Sequence, residues 1–222
     1  MIKLLSTTFT LLFITAFTAQ VANATDISNK ENDMPEKSNI EQSNQSIVLA
    51  GGCFWGVQAV FEHLKGVKQA TSGYAGGSAT TAHYEIVSSG MTGHAESVKV
   101  VFDPKEISLD QLLKVYFTVV HNPTELNHQG PDTGTQYRSA IFYSTADQQR
   151  IAQDYIKQLE KSKVFDGPIV TEIEQLHEFY PAEHYHQDYV KLNPDNPYVI
   201  YNDIPKVKRL KEKYPELYVE KN

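Results

Sequence analysis

The stretch Ser46-Ile47-Val48-Leu49-Ala50-Gly51-Gly52-Cys53-Phe54-Trp55-Gly56-Val57-Gln58-Ala59-Val60-Phe61-Glu62-His63-Leu64 decides how this chain is read. The apolar run Ile47 to Ala50 reads as a short buried strand, and the two glycines after it as a tight turn. Val57, Val60, Phe61 and Leu64 then recur at i, i+3, i+4 and i+7, which is one face of a helix, and Gly66 stops it. Strand, turn and helix meet at Cys53, the only cysteine of the 222 residues.

Working outward, Val67 to Tyr74 reads as a strand ended by Ala75-Gly76-Gly77, and Glu96 to Phe102 as another closed by Asp103-Pro104. Ser108-x-x-Gln111 is a capping box ahead of Leu109, Leu112, Leu113, Tyr116 and Val120, an amphipathic helix. Residues 121–136, rich in Asn, Pro, Gly and Thr, read as a loop, and Tyr137 to Tyr143 as a strand. Thr145-x-x-Gln148 opens a third helix, and Ile169 to Ile173 forms a further strand after Gly167-Pro168. Beyond Glu174 the chain is rich in Tyr, His, Pro and Asn and wraps the core irregularly, with a short helix near Ile204–Tyr214. Helices recur between strands, yet some strands adjoin each other. That order predicts an α+β fold: a two-layer sandwich with a mixed sheet on a ferredoxin-like core, not a doubly wound parallel sheet.

Upstream, Lys3 is the only charge in the first 24 residues, an apolar stretch runs Leu11 to Phe17, and Ala22-Asn23-Ala24 has the small-x-small form. Residues 1–24 therefore read as a secretory signal peptide, too short and too threonine-rich to remain as a span. The expected location is exported, in a periplasm or secreted, with no stable membrane insertion after cleavage. Residues 25–45 carry five acids, two lysines and no aromatic, and read as a disordered acidic and polar linker. The folded domain spans 46–222.

Composition narrows the function. A single cysteine excludes an internal disulfide framework and any Cys-rich metal or iron–sulfur site. A net charge of −7 argues against nucleic-acid binding. Lys206-x-Lys208-Arg209-x-Lys211-x-Lys213 reads as a solvated helix face, since Ile204, Val207, Leu210 and Tyr214 supply its packing side. His177, His184 and His186 fall in one tract without an H-E-x-x-H pattern, and packing is the stronger reading than metal binding. An unpaired cysteine in an exported chain marks a reactive thiol or an intermolecular partner. Cys53 follows two glycines and stands at a helix start, where unpaired N–H groups and the helix dipole favour the thiolate. Phe54 and Trp55 either pack the helix start or wall an apolar binding site.

Gly-Cys-Phe-Trp-Gly at 52–56 resembles the signature of the type A peptide methionine sulfoxide reductase family. Four further blocks resemble it in order: Ser72–Gly77, Tyr84–Glu96, Gln129–Ser139 and Phe179–Gln187. The similarity runs from about Ser46 to Leu217. It implies reduction of methionine sulfoxide, free or in proteins and of the S epimer at sulfur, without a cofactor or metal. Cys53 would be the nucleophile and Glu96 the proton donor. Tyr84 and Tyr137 would hydrogen-bond the sulfoxide oxygen, Asp132 would position the nucleophile or water, and Phe54 and Trp55 would cage the methyl group. Many relatives carry resolving cysteines near the C-terminus. This chain has none, so the Cys53 sulfenic acid would need an external thiol: thioredoxin-like, glutaredoxin-like or a small molecule. Gln58, Asn122 and Pro131 stand where Glu, Asp and Asn are common in the family. A one-Cys thiol peroxidase or redox sensor is the main alternative, and an adhesion module dimerised through Cys53 a weaker one.

Overall fold

The β1 strand, Gln45–Ala50, alternates strictly: Ile47 and Leu49 enter the large core on one face of the sheet, Val48 and Ala50 a small cluster on the other. In the computed structural model, which describes residues 44–221, it is followed by α1, Phe54–Glu62, and β2, Val67–Ala75. A short α2, Tyr84–Val87, precedes β3, Ala95–Phe102. The α3 helix, Leu109–Val115, runs on into a π-helical turn over Tyr116–Val120. A two-residue hairpin follows, β4 His128–Gln129 against β5 Asp132–Thr133. Then come β6, Ala140–Tyr143; α4, Ala146–Ser162; β7, Glu172–Gln175; and β8, Phe179–Pro181. The chain closes with α5, Tyr189–Leu192, and α6, Ile204–Lys213.

The large sheet has the order β7-β6-β1-β3-β2-β8. Its centre, β6-β1-β3-β2, is antiparallel throughout, and β3 lies between β1 and β2. With α1 joining β1 to β2 and α3 joining β3 to β6, this is the split β-α-β of a ferredoxin-like core. The parallel pairing of β6 with β7 makes the sheet mixed, as the element order predicts. Helix α1 packs on β2 and β3 and against α6, and α4 packs on α3, β6 and β7. Val98, Val100 and Phe102 of β3 face these helices. By the same two-residue period Glu96 faces them too, at the end of the strand nearest the glycine turn.

Helix starts follow the sequence closely. Ser108 Oγ accepts from the Gln111 amide at 3.2 Å, and Gln111 Oε1 accepts from the Ser108 amide at 2.9 Å. Thr145 Oγ1 accepts from the Gln148 amide at 3.2 Å, but Gln148 reaches back one residue further, to Ser144. Two strand expectations need correction. Tyr137 belongs to a 3-10 turn over Thr135–Tyr137, and the strand begins at Ala140. The strand expected over Ile169–Ile173 is Glu172–Gln175, later than its apolar residues suggest, because its pairing with β6 starts at Ala140↔Glu172, and the tail read as irregular adds β8 to the sheet. The signal-peptide reading of 1–24 lies outside the described residues, as does the linker except for its last two residues, of which Gln45 already belongs to β1.

Candidate active site

Two glycines place Cys53, each for a different reason. A Cβ on Gly51 would meet the His121 ring at 2.9 Å. Gly52 has φ +88, and a Cβ there would meet the Gln129 side chain at 2.8 Å. Both walls are fixed. His121 Nδ1 donates to Tyr116 O at 3.1 Å, and its Nε2 accepts from Ser139 Oγ at 2.7 Å. The Tyr116 hydroxyl donates to Ala50 O at 2.7 Å. Burial holds His121 neutral, its pKa pushed down to about 3. Gln129 clasps the Asn122 backbone from both sides, accepting its N–H at 2.9 Å and donating to its carbonyl at 2.7 Å. The loop at 121–136 is thus strapped onto the strand–helix turn.

Cys53 is the N-cap residue of α1, and no side chain caps the helix there. The first two amides of the helix lie beside the thiol and a buried carboxyl. The Trp55 N–H favours charge on the Cys53 sulfur, and the Phe54 N–H donates to Glu96 Oε2 at 3.1 Å. The carboxyl is thus held against the helix start that carries the thiol. Glu96 is 2% exposed, and burial, opposed by the Phe54 amide and reinforced by Asp132, pushes its carboxyl up to about 8. At neutral pH it keeps its proton. Burial also raises the Cys53 thiol well above its usual range, with Glu96 and Asp203 adding to the rise. This corrects the expectation of a helix-stabilised thiolate: the amide is in place, but desolvation outweighs it.

Around this pair the structure gathers the other predicted residues. Tyr84 opens α2 and Tyr137 closes the 3-10 turn. Both phenols are half-buried, and both are raised by burial first and then by the nearby Glu96 and Cys53. They remain O–H donors. Asp132 accepts a short hydrogen bond from the Tyr198 hydroxyl, and burial raises its carboxyl. Phe54 is fully buried against Tyr74 and His186, with ring centroids 5.9 and 5.0 Å away. Trp55 is half-buried, stacked on Tyr189 at 3.7 Å and edge-on to Tyr198 at 5.8 Å.

The C-terminal segment supplies residues that sequence reasoning missed. Trp55 Nε1 donates to His186 Nδ1 at 3.0 Å. In the neutral ring that places the proton on Nε2, which is buried with no hydrogen-bond partner among the described residues. His186 therefore serves the aromatic wall, and it forms no metal cluster with His177 and His184 among the described residues. Glu183 joins two elements, accepting from the Tyr74 hydroxyl at 2.8 Å and the Tyr84 amide at 3.0 Å. Their one sequence signal was the Phe179–Gln187 block. Gln58 is structural: it accepts from Ser72 Oγ at 2.9 Å and the Asp188 amide at 3.2 Å, and donates to Ala70 O at 3.1 Å.

A cysteine sulfur, a buried neutral carboxyl and phenolic donors beside an aromatic wall are the groups a thiol-based redox site needs. Residues 45–218 match the family model described as peptide methionine sulfoxide reductase. The chain is similar to a Mesorhizobium japonicum protein named peptide methionine sulfoxide reductase MsrA 2, 58% identical over 80% of this chain and 91% of that one. A Synechocystis protein of the same name is 48% identical over 83% of this chain and 86% of its own. Among solved structures, reduced Mxr1 from Saccharomyces cerevisiae superposes with a TM-score of 0.64 at 33% identity, covering 69% of this chain and 88% of that one. Methionine sulfoxide reductase A of Corynebacterium diphtheriae gives 0.61 at 35% identity, covering 68% and 76%. The chain belongs to the peptide methionine sulfoxide reductase family, and it is an oxidoreductase that reduces methionine sulfoxide.

Proposed function

We propose that Cys53 and Glu96 carry out this reduction together on the S epimer of methionine sulfoxide, free or in proteins. The observation that carries the reading is the bond from the Phe54 amide to Glu96 Oε2 at 3.1 Å, which holds a buried carboxyl at the residue next to Cys53. The Cys53 sulfur attacks the sulfoxide sulfur. Oxygen gains negative charge, and Glu96 supplies the proton while the Tyr84 and Tyr137 hydroxyls donate to the same oxygen. The S–O bond of the substrate breaks and its oxygen ends on Cys53. In sum, one thiol and one sulfoxide give one sulfenic acid and one thioether: Cys53 is oxidised by two electrons and the substrate sulfur reduced by two. Trp55, backed by Tyr189, offers an apolar face to the methyl group. Methyl on one wall and oxygen on the donors leave one epimer with its sulfur toward Cys53. Asp132, held by Tyr198, positions water or the nucleophile at the edge of the cleft.

The chain has no second cysteine, so reduction of the sulfenic acid requires an external thiol, passing through a mixed disulfide. The signal-like residues 1–24 support work outside the cytoplasm, in a periplasm or secreted.

One substrate equivalent without reductant should yield one methionine and a dimedone-reactive adduct on Cys53. Cys53→Ser should yield neither. Turnover in Cys53→Ser, or methionine release with an unmodified Cys53, would refute the assignment.

A further inference from the structure

One buried charge near the sulfur has no part in the chemistry above. Asp203, the residue before α6, is fully buried, and neither of its oxygens accepts a hydrogen bond among the described residues. Its counterion is the Lys206 ammonium, which faces Oδ1 at 3.6 Å and keeps 18% of its side chain in solvent. Such a pair gains little stability over apolar side chains of the same size, because desolvation of the carboxylate offsets the attraction.

The carboxylate lies against the helix that carries the thiol. Gly56 is three residues after Cys53, in the first turn of α1. A Cβ there would collide with Asp203 Oδ1 and meet Lys206 Nζ at 2.9 Å, so only glycine admits the pair. Lys206, Tyr198 and Cys53 line one cavity of about 280 Å³. The Asp203 charge adds to the effect of burial on both the Cys53 thiol and the Tyr198 phenol. Burial raises Asp203 itself, but against Lys206 only to about 6, so it is ionised at neutral pH.

The other titratable groups around the sulfur are neutral or engaged. Glu96 keeps its proton, Tyr84, Tyr137 and Tyr198 remain phenols, and burial holds His121 neutral. Asp132 holds the Tyr198 hydroxyl, and Glu125 holds the Asn122 amide at 3.1 Å and His128 at 3.3 Å. Tyr201 and Arg209 are exposed, and Arg209 donates to Val119 O at 3.2 Å. Of the Asp203–Lys206 pair, the buried carboxylate acts through protein, while water screens the ammonium. The pair therefore presents net negative charge to Cys53.

We propose that Asp203 is a positioning residue for the charge on Cys53: ionised beneath the start of α1, it holds the resting sulfur as the thiol and so guards it from peroxides. The thiolate, not the thiol, is the nucleophile. When a thiolate attacks hydrogen peroxide, the O–O bond breaks, one oxygen stays on sulfur, and hydroxide leaves as water. Sulfur loses two electrons and becomes the sulfenic acid; a second peroxide takes it to the sulfinic acid, which thiols do not reverse. A chain with one cysteine has no second thiol to trap the sulfenic acid first. The inference rests on the reading above only in taking Cys53 as the reacting sulfur.

The test reads the thiol directly, in the full chain, as the rate of Cys53 alkylation by uncharged iodoacetamide against pH. Asp203→Asn keeps the shape, removes the charge and leaves Lys206 unmatched. Its profile should move to lower pH, and its rate at neutral pH should rise about tenfold. Lys206→Met leaves Asp203 unmatched and should move the alkaline limb to higher pH. Loosened packing would expose the sulfur and speed both variants, so opposite signs separate a charge effect from a structural one. Hydrogen peroxide should consume the Asp203→Asn thiol faster by about the same factor. An unshifted Asp203→Asn profile, shifts of one sign in both variants, or an unchanged peroxide rate overturns the proposal. If Asp203→Asn does not fold, the sign of the Lys206→Met shift decides. If alkylation follows the expected signs yet methionine sulfoxide is not reduced, the reading of function fails and this one stands.

Discussion

Glu96 is the proton donor of the proposed mechanism, and its protonation leaves a mark on stability. Its pKa in the folded protein, about 8, lies above the ordinary 4.5. The unfolded chain therefore ionises first, and folding loses stability as pH rises from about 4.5 to 8, then levels off. A tenfold change in proton affinity corresponds to about 1.4 kcal/mol, so the loss is on the order of a few kcal/mol. Glu96→Gln keeps an acceptor for the Phe54 amide and removes the ionisation. Its denaturation midpoint should match the unsubstituted protein near pH 4 and exceed it above pH 8. A constant difference across that range would contradict a buried neutral carboxyl. The reacting state itself needs charge on sulfur and a proton on the carboxyl. Glu96 and Cys53 are both raised and repel each other's ionised forms, so one deprotonation near pH 8 leaves a single charge that the pair can place on sulfur.

At the scale of elements, the strand–glycine–helix junction fixes Cys53. Gly52→Ala puts a side chain at φ +88 and against Gln129. It should cost about 1–3 kcal/mol and displace Cys53, read as a lower melting temperature with a disproportionate loss of turnover. This junction was fully legible in sequence, because two glycines and a period change leave one reading. Helices α3 and α4 were legible from their caps and apolar faces. The 3-10 turn at Tyr137 was not: Tyr137, Ile141, Phe142 and Tyr143 are strand formers, while the bend is set by Gly134 with φ +140 and by Arg138, whose guanidinium is drawn to Glu172 at 2.9 Å and Glu174 at 3.3 Å. Likewise α2 has four residues and no periodicity to find; it exists because Glu183, 99 residues on, holds the Tyr84 amide. The direction of the Cys53 shift was also hidden. A helix N-terminus is visible in sequence, but burial, which outweighs it, depends on packing from distant segments.

The whole molecule divides labour between a ferredoxin-like core and the chain that wraps it. The core presents Cys53 and Glu96 from adjoining elements. The segment from 183 to 209 encloses them with His186, Tyr189, Tyr198 and the Asp203–Lys206 pair. Glu183 ties the two parts through Tyr74 and Tyr84. Glu183→Ala should destabilise the fold by about 1–3 kcal/mol. It should also lower kcat by a larger factor than it raises KM for the sulfoxide, because it releases Tyr84, whose hydroxyl donates where charge develops, and leaves Cys53 in place. The most direct test of the paired thiol and acid is the second-order single-turnover rate on methionine S-sulfoxide against pH. The rate should rise through about pH 8, as the pair sheds its first proton, and fall at higher pH as the second is lost. Glu96→Gln should be slower by about a hundredfold or more and should lack the alkaline fall. A Glu96→Gln variant with the unsubstituted rate and the same alkaline fall would contradict the account.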